Sequence, residues 1–179
     1  MFHVTERLLL RPAWPEDADA LFGGISDEGV VRNLARAPWP YLPEHARQFV
    51  MLKRELRYPR FLITRPGDNG SELIGCTGID AGEGSVELGY WIARACWGQG
   101  YATEAARGMI DIARLLGHRE LIAGHFTDNP ASGRVLRKLG FRPTGKTVSR
   151  HSGGRGEEAD CMMYRLDLSE DEVAASKAA

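Results

Sequence analysis

Two glycines just before a predicted helix form the clearest site for chemistry in this sequence. Trp97-Gly98-Gln99-Gly100 follows a segment rich in β-branched and aromatic residues, Val86 to Ile92, and precedes helical spacing of apolar residues from about Tyr101. Glycine lacks a Cβ atom, so the backbone there can approach a ligand closely. A strand, a glycine turn and a helix N-terminus together predict a site for a phosphate or pyrophosphate. A tight turn without a ligand would use the same residues.

A second glycine pattern invites a different interpretation. The residues from Gly140 to Thr147 match the phosphate-binding pattern G-x-x-x-x-G-K-[ST] letter for letter. That motif works only when a strand precedes the loop and a helix follows it. Here an amphipathic helix over 132–139 comes first, and no helical period follows, so Gly140 is better explained as the end of that helix. Nucleoside-triphosphate hydrolysis is therefore not expected at this site.

Composition narrows the class of protein. The chain has 179 residues, of which 43% are hydrophobic and 26% charged, as in a soluble globular domain with a sizeable core. A net charge of −1 gives no basic surface for nucleic acid. A membrane helix would need a run of about 18 apolar residues, and none is present. The absence of a signal-peptide pattern and three unpatterned cysteines predict a cytoplasmic protein with free thiols, and the spacing of metal ligands is absent.

The elements that must position the glycine turn follow from periodicity and breakers. The central helix, ended by Gly117, connects two strands that are expected to pair in parallel. Gly23-Gly24 is expected to loosen the first helix. The predicted strands are 8–11, 61–64, 73–79, 86–92, 121–126 and 159–168, and the other predicted helices are 16–22, 27–34, 44–56 and 132–139.

Three motifs in this order resemble the GNAT superfamily of acetyl-CoA-dependent N-acetyltransferases. They are Glu87-Leu-Gly-Tyr-Trp-Ile92, Trp97-Gly-Gln-Gly-Tyr-Ala-Thr-Glu-Ala105 and Asn129-Pro-Ala-Ser-Gly-Arg-Val-Leu-Arg-Lys-Leu-Gly-Phe141. Together with the opening Thr5-Glu-Arg-Leu-Leu-Leu-Arg-Pro12, they are most similar to the branch that includes the ribosomal-protein N-terminal acetyltransferases.

The resemblance implies an α/β (α+β) fold. Its sheet would be mixed and mostly antiparallel, with about six or seven strands flanked by helices and a splayed parallel pair at the centre. One domain would span residues 1–168, with a frayed tail at 169–179.

The resemblance also implies which residues bind acetyl-CoA. The end of the strand would contact the pantetheine arm, the glycine turn would hold the pyrophosphate, and the start of the later helix would approach the sulfur. One departure concerns Ala95, where the family usually has Gln or Arg, so the affinity for the cofactor is in question. The expected cofactor-binding residues are Ile92, Ala93, Arg94, Gly98, Gln99, Gly100, Tyr101, Ala102, Thr103, Asn129 and Ser132.

Acid–base chemistry is assigned to two residues. Glu87, on the strand that leads to the turn, is the candidate general base for the amine, although an exposed or ion-paired structural role is an alternative. The tyrosine that the family often uses as the acid corresponds to Leu136 here. Ser132 is the expected substitute, unless it only contacts the backbone at the start of its helix.

The acceptor is not identified by the sequence beyond a small-molecule or peptide amine. Trp39 and Tyr41, on a loop stiffened by prolines, are candidates for acceptor binding, and capping of the core is the alternative. No nucleic acid or membrane partner is expected, and the chain is either a monomer or a homodimer. The main alternative function is a non-catalytic acyl-CoA-binding module, for which Ala95 and Leu136 are the supporting features.

Overall fold

A computed structural model describes residues 1–53, 55–68, 70–82 and 84–169. Their eight strands form one sheet in the order β1-β2-β3-β4-β5-β6-β8-β7. The tail expected at 169–179 lies, apart from Ser169, outside the described residues, and the extent of the single domain stays a prediction. The strands are β1 His3–Val4, β2 Leu9–Arg11, β3 Arg60–Gly67, β4 Gly70–Ala81, β5 Val86–Ile92, β6 Glu120–Phe126, β7 Arg142–Ser152 and β8 Glu157–Asp167.

Helices cover both faces of this sheet. One hydrophobic core lies under α4 and α5, and a second lies under α1, α2 and α3. Burial of Leu21 and Ile25 keeps the first helix intact through Gly23 and Gly24, so the loosening expected there is wrong. The helices are α1 Ala18–Ile25, α2 Glu28–Val31, α3 Pro43–Met51, α4 Tyr101–Leu115 and α5 Pro130–Lys138, with 3-10 turns at Pro15–Asp17 and Arg94–Cys96.

The mixed sheet with a central parallel pair is confirmed. All neighbouring strands are antiparallel except β5 and β6, which are parallel and share only the registered pair Glu87↔Ile122. By contrast, β4 and β5 stay paired from Gly75↔Ile92 to Ala81↔Val86. The two central strands therefore diverge towards their C-terminal ends and open a cleft between them.

The sheet has eight strands rather than the six or seven expected. The additional strands are the short β1 and the long edge strand β7, most of whose residues are exposed. A strand with both faces largely in solvent shows no apolar alternation, so periodicity gives no signal for it. The helix expected to reach residue 56 ends at Met51, because Leu52 adopts an extended conformation with ψ 117°.

Candidate active site

The cleft between β5 and β6 has a volume of about 1140 Å³ and opens to both faces of the sheet. We call one part of it the turn end, which comprises residues 92–103 and the first turn of α5. We call the other part the ion-pair end, which comprises the β4 and β5 residues from Gly78 to Gly89 that line the cleft, together with Arg150 and segment 32–37.

The turn end is built by backbone. Gly98 and Gly100 have φ values of 75° and 82°, in the left-handed region that favours glycine, and α4 begins immediately afterwards. No described side chain caps this helix at Gly100. The first N–H groups of a helix have no intrahelical partner, so those of Tyr101, Ala102 and Thr103 are available to an anion.

The side chain of Arg94, next to Ala95, lies beside the start of α2. Its guanidinium turns towards α2, where Nη1 lies 3.3 Å from Asp27 Oδ1, and it stacks on the Trp97 ring at 5.6 Å. The close packing is visible at Gly29, whose position would place a Cβ atom 2.6 Å from Arg94 Nη1. In this structure the Arg94 side chain therefore links the residues before the glycine turn to the start of α2.

The strand end that precedes the turn is already hydrogen bonded within the protein. The carbonyl of Ile92 accepts from Trp97 Nε1 at 2.6 Å, and the N–H of Ala93 donates to the Ile74 carbonyl at 2.8 Å. Gln99 accepts through its carbonyl from Arg7 Nη1 at 3.1 Å. These bonds fix the path of the backbone into the turn.

Glu87 lines the ion-pair end and pairs with an arginine from the edge strand β7. Arg150, on β7, donates to its two carboxylate oxygens at 2.5 Å and 3.2 Å. The hydrogen bond from Arg150 to Glu87 raises the pKa of Arg150, although burial opposes the shift. The Glu87 side chain keeps 26% of its surface exposed, so the carboxylate is oriented by Arg150 but still faces the cleft.

Two hydroxyl groups, one from β5 and one from α5, contact each other in the cleft. Asn129 caps α5 by accepting from the Ser132 N–H at 3.3 Å, and Ser132 Oγ lies 2.9 Å from the Tyr90 hydroxyl. Burial raises the pKa of Tyr90 to about 12, although its hydrogen bond with Ser132 lowers it, so Tyr90 stays protonated at neutral pH. Leu136, at the usual tyrosine position, is fully buried in the core.

Tyr90 and Arg150 are the residues that sequence reasoning missed. Tyr90 lies within the quoted strand motif, and alternation along β5 predicts that it points to the opposite face from Glu87. The family pattern places the acid on the later helix, whereas Tyr90 lies on β5. No signal pointed to Arg150, because β7 itself was not predicted.

The two aromatic residues expected to bind the acceptor, Trp39 and Tyr41, lie in different environments. Tyr41 is buried in the core under α1 to α3, and it also lines the cleft. Trp39 is 41% exposed and does not line the cleft.

The nucleotide-binding alternative fails on connectivity. Residues 140–147 follow α5 and run into β7, so the helix precedes the loop and a strand follows it. This is the reverse of the order that the motif requires. Within the described ranges, no group of three or more His, Cys, Asp or Glu side chains is arranged to hold a metal ion, and no helix is long and apolar enough to cross a membrane.

Known proteins match this chain over most of its length. A profile described as an acetyltransferase (GNAT) domain matches residues 7–142. The uncharacterized N-acetyltransferase YoaA of Bacillus subtilis strain 168 is 32% identical over 169 residues, which cover 90% of this chain and 94% of the relative.

Two solved structures show the same fold. A GNAT-family acetyltransferase from Bacillus anthracis superposes with a TM-score of 0.81 at 25% identity, covering 95% of this chain and all of its own. RimL, a ribosomal L7/L12 α-N-protein acetyltransferase in complex with coenzyme A, gives a TM-score of 0.76 at 22% identity, covering 93% of this chain and 98% of its own. From the domain match and the relative that aligns over nine-tenths of each chain, we conclude that this chain belongs to the GNAT family of acetyltransferases.

Proposed function

We propose that this protein transfers the acetyl group of acetyl-CoA to a primary amine by direct attack in a ternary complex. One observation carries the proposal: a single cleft contains the glycine turn before α4, the Tyr90–Ser132 hydroxyl pair and the Glu87 carboxylate. A site that only held a nucleotide would need the turn but neither of the other groups. The coenzyme A complex of RimL supports the choice of cofactor.

The turn end fits the charge of acetyl-CoA. The unpaired N–H groups at the start of α4 would hold the pyrophosphate, and two basic side chains of α5, Arg134 and Lys138, line the same cleft. When bound, acetyl-CoA supplies a thioester carbonyl that is reactive towards amines and a thiol leaving group. Asn129 fixes the first turn of α5, and so the position of Ser132, which would contact the leaving group.

Glu87 and Ser132 would divide the proton transfers. The Glu87 carboxylate removes a proton from the acceptor ammonium, directly or through a water molecule, and so frees the nitrogen lone pair for attack on the carbonyl. As the new C–N bond forms and the C–S bond breaks, Ser132 Oγ–H donates its proton to the departing sulfur. Tyr90, which is protonated at neutral pH, donates in turn to Ser132 Oγ, and solvent returns the proton.

A non-catalytic acyl-CoA-binding module is the second candidate. Ala95 and Leu136 depart from the family pattern, and both oxygens of Glu87 already accept from Arg150. A pure binder would show affinity for acetyl-CoA and no release of free thiol with any amine.

The test is the Glu87→Gln variant, assayed for thiol release with a panel of amines. We expect turnover to fall about 100-fold or more, because general-base catalysis contributes at least that much. The rise in melting temperature caused by acetyl-CoA should stay at the wild-type value. Glu120→Gln, which alters a carboxylate paired with Arg165 outside the cleft, is the matched control. Unchanged turnover in Glu87→Gln would exclude Glu87 as the base.

A further inference from the structure

At the ion-pair end two glycines lie opposite each other, and the Arg60 side chain packs over one of them, Gly78. Gly78 of β4 lies opposite Gly89 of β5, and the next pair along the same face is Asp80↔Glu87. A Cβ atom at Gly89 would have no neighbour within 4 Å, so there is open space above the strand. An amine that reaches Glu87 therefore passes beside Asp80 and the groups that surround it.

All three carboxylates that line the ion-pair end and its border are already held by arginine. Glu87 accepts from Arg150, as described above. Asp80 accepts from Arg60 at 3.0 Å and lies 3.3 Å from Arg36 Nη1. The third carboxylate, Asp128, accepts from Arg155 at 2.7 Å and 2.9 Å and from Arg32 at 2.9 Å.

The balance of charge here differs from that of the whole chain. The chain carries 23 basic and 24 acidic residues, yet Asp80 and Asp128 each contact two arginines. Burial of a second ammonium group against these arginines would be unfavourable. An acceptor with several amino groups is therefore disfavoured, whereas an anionic group near the amine would be stabilised.

Arg32 and Arg36, which we call the arginine rim, have more N–H donors than their contacts with Asp128 and Asp80 use. Their side chains are 50% and 69% exposed, and a guanidinium carries five N–H groups. Arg36 lies beside Asp80, the cross-strand partner of Glu87, so a ligand that reaches Glu87 comes close to an exposed guanidinium.

The rim is fixed in place by the β7–β8 turn. Ser152 Oγ donates to the carbonyls of Arg32 and Leu34 at 3.3 Å and 3.0 Å, and the Gly153 N–H donates to the Ala35 carbonyl at 2.8 Å. Arg155 Nε adds a bond of 2.8 Å to the Arg32 carbonyl. The backbone that carries both arginines is thus positioned before any ligand arrives, which lowers the cost of binding.

We propose that the acceptor carries a carboxylate close to its amine and that the arginine rim binds this carboxylate while the amine reaches Glu87. The proposal rests on the proposed acetyl transfer. The carboxylate could belong to a free amino acid or to an acidic residue near the N-terminus of a peptide, and the two sources share the same recognition.

The experiment compares acceptors that differ only in the carboxylate. One arm uses amino acids against their amides, and the other uses short C-terminally amidated peptides with Asp against Asn at the second residue. We expect the acid to exceed the amide or Asn counterpart by about tenfold or more in kcat/KM in at least one arm, which identifies the source. In the Arg32→Gln/Arg36→Gln double variant, this preference should fall to about threefold or less through KM, with kcat and the response to acetyl-CoA unchanged.

Arg165→Gln, which removes an exposed arginine on β8 outside the cleft, should keep the wild-type preference. Equal use of acid and amide in both arms, or a preference that survives in the double variant, would overturn the proposal.

A binding measurement separates this proposal from the proposed transfer. The protein saturated with coenzyme A is titrated with each acceptor and with its N-acetylated product, and the additional rise in melting temperature is recorded. A rise that is specific to the carboxylate forms and is lost in the double variant supports carboxylate binding by the arginine rim. If no thiol is released in that case, only the proposed acetyl transfer is wrong. If neither measurement shows selectivity for the carboxylate, the proposed role of the arginine rim is wrong.

Discussion

The two ends of the cleft are built in different ways. Apart from the first turn of α5, the turn end is formed by consecutive residues, 92–103, and it presents mainly backbone groups that glycine conformations expose. The ion-pair end is formed by side chains that are distant in sequence, such as Arg150 and Glu87, which are 63 positions apart. One end therefore depends on local conformation, whereas the other depends on how the sheet brings remote charges together.

The largest effect is expected from a substitution at the turn end. Gly100→Val places a β-branched side chain at φ 82°, so the turn must change its conformation and withdraw its N–H groups. We expect affinity for acetyl-CoA to fall about 100-fold or more, as measured by calorimetric titration.

Gly117→Val is the matched control for this substitution. Gly117 has φ 78° and no neighbour within 4 Å of its Cβ position, but it ends α4 away from the cleft. It should lower stability without changing the affinity for acetyl-CoA. Equal affinity losses in both variants would mean that general destabilisation, and not the turn, controls binding.

A smaller effect is expected where the two ends meet. Tyr90→Phe removes the hydroxyl that lies 2.9 Å from Ser132 Oγ and keeps the ring in the core. We expect kcat to fall about tenfold, with little change in acetyl-CoA affinity, because one hydrogen bond to the acid is worth about 1 to 1.5 kcal/mol.

Two further measurements sharpen this expectation. Tyr90→Phe and Ser132→Ala together should cost little more than the larger single effect, because the two hydroxyls act as a unit. Since burial raises the pKa of Tyr90 to about 12, its deprotonation should cause no loss of wild-type rate between pH 7 and about 10. Fully additive losses would show that Tyr90 does not act through Ser132.

The smallest effect is expected when the pH is lowered. The hydrogen bond from Arg155, together with the charges of Arg155 and Arg32, lowers the pKa of Asp128 below its usual value near 3.8, although partial burial opposes the shift. A lowered carboxylate pKa stabilises the folded state above the usual pKa, and this contribution disappears as the pH falls through the lower, folded value. Below about pH 4, the contacts of segment 32–37 should therefore weaken.

Hydrogen exchange at the Gly153 amide, which donates to the Ala35 carbonyl, would report this weakening. In Asp128→Asn the same amide should exchange faster already at pH 6 and show a smaller further change on acidification. An identical pH dependence in both proteins would assign the weakening to other groups.

This contrast also explains what the sequence could predict. Strand β5 over Val86–Ile92, the start of α4 at Tyr101 and the end of α4 before Gly117 are local features, and the structure confirms them. Each follows from propensity, periodicity or a capping residue within a few positions.

What escaped prediction depends on tertiary contacts. Strand β7 has polar, exposed residues and is held by pairing with β8, so its own sequence does not identify it. Without β7, neither Arg150 nor its bond to Glu87 could be expected. The continuity of α1 through two glycines likewise depends on burial of its apolar face against the sheet.

The tip of the β7–β8 hairpin has a further consequence for how this protein could be modified. A Cβ atom at Gly154 would overlap with the Val31 carbonyl, so the tip packs directly against α2. Ser152 and Gly153 also donate hydrogen bonds to the carbonyls of Leu34 and Ala35, so the hairpin supports the segment 32–37 that carries the arginine rim. Under the proposed acetyl transfer, changes in residues 152–156 should therefore alter which amines are accepted more than they alter the affinity for acetyl-CoA, and a library confined to these residues would test this.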